Sequence, residues 1–149
     1  MKLKEIQTSN ITIEEFKAAQ WKRGLPLSII GAIVYGVLRL FGAKPKDYHG
    51  ICKYFEIGNN WGGLEMGWFF ICAKNSNETL KNHEVGHGIQ NALSGGFTMV
   101  AHSIGSALRY WYRKVRKITT PYDAWWFEGN ATRLGTELVN RIKEENYGQ

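Results

Sequence analysis

The stretch His83-Glu84-Val85-Gly86-His87 decides how the rest of the chain is read. On a helix, residues four apart leave the same face one turn apart, so both imidazoles can reach one tetrahedral zinc ion, Zn2+. Glu84 lies close to the same site without having to bind the metal, where it can take a proton from a zinc-bound water. The flanks support a helix. Asn75 and Glu78 have capping-box spacing, Leu80, Val85, Ile89 and Leu93 keep the period, and Gly95-Gly96 marks the stop. Gly86 and Gly88 interrupt the run, each at a cost of about 1 kcal/mol relative to alanine. A helix that keeps both calls for close approach on that side, whether of a strand, a second helix or a substrate.

Two histidines leave a catalytic zinc one protein ligand short. The metzincin continuation asks for glycine at position 90 and histidine at position 93, and the chain has Gln90 and Leu93 there. A glutamate on a later helix is the remaining option. Glu128, Ala131, Thr132 and Gly135 share one helical stripe, whose small residues let that helix come close to the first. Glu128 is therefore the expected third ligand. Glu137 competes, but its neighbours read as an ordinary amphipathic face.

The segments HEVGHGIQ (83–90) and FEGNATRLG (127–135) resemble the gluzincin branch of zinc metallopeptidases. More narrowly, they are similar to small bacterial and phage domains with an HExGHxxQ helix and a downstream ExxAxxxG helix. The likeness covers roughly residues 60–140. It implies that His83, His87 and Glu128 hold zinc, that Glu84 is the general base, and that the substrate is a peptide or protein. Many gluzincins carry an aspartate four residues after the ligand glutamate to orient a histidine. Here that position is Thr132, whose hydroxyl can accept a hydrogen bond but brings no charge. The alternative reading keeps the zincin scaffold as a non-catalytic binding module whose basic patch contacts protein, nucleic acid or an anionic membrane.

Residues 51–57 and 64–71 read as two strands of a hairpin around a Gly/Asn-rich loop. In zincins a strand before the metal helix commonly lines the cleft and pairs with extended substrate, and Gly67 would leave room for it. Oxyanion stabilisation needs a donor near the reacting carbonyl. His102, Tyr110, Tyr112, Tyr122 and Arg133 are the candidates, with His102 and Tyr122 preferred.

At 149 residues and 44% apolar content the chain reads as one zincin-like domain, residues 1–149. Thr12 to Glu15 forms a capping box opening a helix to about Lys22. Further helices are expected from Pro26 to Phe41, Phe97 to Lys117 and Pro121 to Glu145. The expected fold is α+β, mostly helical, with a small hairpin or sheet before the metal helix. No apolar signal core follows the basic N-terminus, which points to a cytoplasmic location. Leu25 to Phe41 falls short of the about 20 apolar residues of a membrane span and reads as a buried core helix, with membrane association as the competing use.

The net charge of +6 gathers in the run Arg109 to Lys117. Basic residues at a helix C-terminus suit its macrodipole. No nucleic-acid motif accompanies the run, so nucleic acid is not the expected partner. Cys52 and Cys72, one on each expected strand, read as two buried thiols, with a disulfide open only to an oxidising compartment.

Overall fold

The computed structural model describes residues 11–120 and 126–148. Among these the elements run α1 (Ile13–Lys22), α2 (Leu25–Leu40), β1 (Lys46–Tyr48), β2 (Cys52–Glu56), β3 (Gly63–Glu65), β4 (Phe69–Cys72), α3 (Glu78–Ser94), α4 (Gly96–Arg116) and α5 (Trp126–Tyr147). The fold is α+β. Thr12 caps α1 as its sequence says: its hydroxyl accepts the Glu15 N–H at 3.1 Å while Glu15 reaches back to the Thr12 N–H at 2.9 Å. The cap of α3 falls inside the expected run of capping residues, Asn75 to Glu78, but not at the residue with capping-box spacing. Asn77, not Asn75, accepts the Leu80 N–H at 2.9 Å. Asn75 instead pairs with Asn60 across the loop that precedes β3. The expected start at Pro121 for the last helix lies outside the described residues.

The sheet is not the hairpin expected from residues 51–57 and 64–71. Its order is β1-β2-β4-β3. β2 pairs with β4 in parallel, and β3 and β1 flank them antiparallel. The second apolar run breaks because Gly67 takes φ +91°, which turns the chain between β3 and β4. β4 is therefore an interior strand, buried throughout, and β3 is the open edge. Gly67 packs on α2, where a Cβ would lie 2.6 Å from the Ser28 hydroxyl, so its space is filled by the protein's own helix and not by substrate. Register places Cys72 opposite Glu56, four residues beyond Cys52, or about 13 Å along the strand. That is too far for a disulfide, and both thiols are free. Cys72 is buried as expected, while Cys52 is only part-buried.

The core is built where α3 crosses α5 and both cover the sheet. Ile51, Phe70, Val85, Ile89, Leu134 and Leu138 meet there, all essentially inaccessible. The glycines explain how close the helices come. A Cβ on Gly86 would run into the Ala131 carbonyl, and one on Gly135 into the Asn82 carbonyl. Gly88 faces the other way, its missing Cβ 3.1 Å from the Phe16 ring. Both glycines of α3 thus serve packing between elements. Gln20 links α1 to α3 inside the core, donating to Gly88 O at 2.7 Å and accepting from Asn91 at 2.6 Å.

α2 is not the buried core helix its composition suggested. Only Leu27, Ser28 and Gly31 are buried along it. Ile33 is 65% exposed and Leu40 87%. Among the described residues no single helix is long and apolar enough to cross a membrane.

Candidate metal centre

α3 projects His83 and His87 from one face, as four-residue spacing requires, with their Nε2 atoms 3.0 Å apart. α5 brings Glu128 against them: its Oε2 is 3.0 Å from His83 Nε2 and 3.1 Å from His87 Nε2. The close crossing at Gly86 and Gly135 places that carboxylate. Glu137, the competing ligand on the same helix, points outward and pairs with Arg133 at 2.9 Å.

The hydrogen bonds behind the two imidazoles assign their protons. The Thr132 hydroxyl donates to the Glu128 carbonyl one turn back, at 3.2 Å, leaving its oxygen to accept from His83 Nδ1 at 2.8 Å. Gln90 spends its amide N–H groups on Phe127 O at 2.9 Å and Asn130 Oδ1 at 3.2 Å. Its Oε1 therefore accepts from His87 Nδ1 at 2.8 Å. With both Nδ1 atoms donating away from the centre, both rings turn Nε2 toward Glu128. Burial alone would raise the Glu128 carboxyl. The hydrogen bonds to the two imidazoles and the Ser106 hydroxyl, 2.5 Å from Oε1, outweigh it and hold the group well below the usual carboxylate range. Two ring nitrogens and a carboxylate oxygen thus converge, and a cation among them can take the place of the ring protons this carboxylate would otherwise hold.

No protein-family model, curated protein or solved structure matches this chain. What can be said of the centre therefore comes from its own chemistry. Two neutral imidazoles and a carboxylate are a zinc-type donor set, and a four-coordinate zinc holds its ligand atoms about 3.3 Å apart. The observed spacings of 3.0 to 3.1 Å fit that size.

Glu84 lies in the same cleft, on α3 between the two histidines, and is 4% exposed. The edge strand reaches it through Gly63, where a Cβ would sit 2.5 Å from Glu84 Oε1. Burial pushes the Glu84 carboxyl up to about 7; His83 opposes the rise, Glu128 adds to it, and a backbone hydrogen bond at Glu65 opposes it. Glu65 itself is buried on β3, with one oxygen accepting the Gly67 N–H at 2.6 Å and the other unpartnered. Burial raises its carboxyl well above the usual value, with the backbone hydrogen bond opposing and Glu84 adding to the rise.

The cleft around these groups measures about 680 Å³. β3, with Trp61 and Gly62 before it, forms one wall, α3 and Glu128 the floor, and α4 the opposite wall. Of the expected oxyanion donors, His102 and Tyr110 line it. His102 stacks on Phe127 with centroids 4.0 Å apart, and burial holds its imidazole below the usual pKa. Tyr112 faces outward, 57% exposed, and Arg133 is turned to Glu137. Tyr122 lies outside the described residues. Sequence reasoning gave no role to Gln90, Ser106 or Glu65. Gln90 was findable, since a residue three after His87 shares its helical face. Ser106 approaches Glu128 from another helix, and no spacing rule announces that.

Proposed function

We propose that this chain is a metal-dependent peptide hydrolase in which His83, His87 and Glu128 hold a zinc ion. The observation that carries this reading is the convergence of two imidazole Nε2 atoms and one carboxylate oxygen within 3.1 Å of one another. Bound there, zinc would polarise a peptide carbonyl and lower the pKa of water at the open position.

The remaining chemistry falls to the chain's own groups. Glu84 accepts the proton of the attacking water and hands it to the departing amine, a role suited to a carboxyl with a pKa near 7. β3 pairs with another strand on one side only, so an extended peptide can lie along its outer edge near Glu84, beside the Glu65 N–H that already serves that carboxylate. His102 and Tyr110 stand on the far wall, where a donor toward the reacting carbonyl oxygen would be needed. The test is Glu84→Gln: cleavage of an unstructured protein should fall to background while zinc stays bound at one equivalent. Turnover retained in that variant refutes the mechanism.

The second reading, a binding module on the same scaffold, is favoured by Lys114 and Lys117 at the cleft margin. One equivalent of zinc with no cleavage of any unstructured protein would support it.

A further inference from the structure

α4 is amphipathic, but its apolar stripe faces away from the protein. Phe97, Ile104, Leu108 and Val115 recur at helical spacing, and each is between 58% and 83% exposed. The face toward the cleft mixes His102, Ser103 and Ser106 with Met99, Ala107 and Tyr110. A surface helix of a water-soluble domain turns the other way, its apolar side inward. α2 repeats the anomaly, leaving Ile29, Ile33, Val37 and Leu40 exposed along its length. The two helices start side by side, where Gly96 N–H donates to Arg23 O at 3.0 Å and Leu27 packs with Met99. Their first turns therefore meet, and each helix carries a row of outward apolar residues away from that meeting point rather than single scattered ones.

The charge on the two helices has one sign. The sequence holds no Asp or Glu between Glu15 and Asp47, nor between Glu84 and Asp123, so both helices lack acidic residues. Exposed Arg39 and Lys44 lie at the end of α2, and exposed Lys114, Arg116 and Lys117 at the end of α4.

We propose that α2 and α4 form a platform that docks on the surface of an anionic lipid bilayer. The apolar stripes enter the headgroup–acyl boundary while the basic ends contact the lipid phosphates, as for interfacial amphipathic helices. Neither helix crosses the bilayer. α2 is about 24 Å long, short of the ~30 Å hydrocarbon core. α4 carries its polar residues on the cleft side. A second copy of the chain is the poorer occupant. An isologous interface sets each patch against itself, a surface with basic residues and no acidic residue on either helix to answer them. Docking is independent of the hydrolase reading, but it would hold the cleft wall α4 at the membrane surface.

The full chain is tested by flotation with vesicles of phosphatidylcholine alone or mixed with phosphatidylglycerol, at low and high salt. The protein should float with the anionic vesicles, roughly tenfold or more better than with the neutral ones, and lose that advantage at high salt. Leu108→Asp/Val115→Asp and Arg116→Glu/Lys117→Glu should each abolish flotation. All four positions are exposed, so circular dichroism should show unchanged folding. Failure to float at low salt, or flotation unaltered in the folded double variants, overturns the proposal. So does a dimer that Leu108→Asp/Val115→Asp dissociates while vesicles leave the wild type in solution; that result gives the face to a second copy.

Discussion

Thr132 offers a sharp test of how the centre is oriented, because one atom can be removed with little else disturbed. Valine has the shape of threonine and is likewise β-branched, so Thr132→Val leaves helix propensity and packing nearly unchanged. What goes is the acceptor for His83 Nδ1–H, 2.8 Å away. The contact to the Glu128 carbonyl also goes, but at 3.2 Å it duplicates a helix hydrogen bond. The His83 side chain is only 14% exposed, so water does not fully replace the lost partner. An unsatisfied donor there costs about 1–2 kcal/mol, which corresponds to a roughly 5- to 30-fold loss of zinc affinity. That overlaps the lower part of the roughly 10–100-fold range typical of partners that orient a ligand histidine. Competition against a fluorescent zinc chelator at pH 7.5 reads it directly. Thr132→Ser should keep wild-type affinity. Equal zinc affinity in wild type and Thr132→Val, both folded, would refute the assignment of His83 as a ligand held by its Nδ1–H.

Two further outcomes follow from the fold and its buried acids. Gly86→Ala gains about 1 kcal/mol of helix propensity but drives a methyl into the Ala131 carbonyl, so a net loss of about 2 kcal/mol and a fall in Tm of roughly 5 °C are expected; calorimetry showing an unchanged or raised Tm contradicts the close crossing. Glu65 has its carboxyl raised by burial, so as pH rises through the ordinary glutamate value the unfolded chain releases this proton while the folded chain keeps it, and stability falls with rising pH. Glu65→Gln should therefore be more stable than wild type at pH 8, with the gap closing toward pH 4 in denaturant titrations; parallel curves contradict a buried neutral acid.

The features written in short-range periodicity were legible from the sequence. Four-residue spacing put His83 and His87 together, and the small residues after Glu128 foretold a helix that could come close; the structure brings that carboxylate to both rings. The capping box at Thr12 and the stop at Gly95 are local hydrogen-bond and dihedral preferences, and they appear where the residues say. Sheet order was not legible. β1 and β3 are three residues each, too short for a period to show, and the parallel pairing of β2 with β4 is decided by what packs on them. Apolar composition also failed to say which way a helix faces. Leu25 to Phe41 looked like core, yet most of it is exposed, because hydropathy records how much apolar surface exists and not what covers it.

The central claim is that carboxylate 128 and the two imidazoles of α3 hold one cation. Zinc content after exhaustive dialysis, measured by mass spectrometry on wild type, Glu128→Ala and Glu137→Ala, tests it most directly. One equivalent is expected in wild type and Glu137→Ala, with a large loss in Glu128→Ala. Wild-type protein that retains no zinc, or Glu128→Ala that keeps a full equivalent, would contradict it.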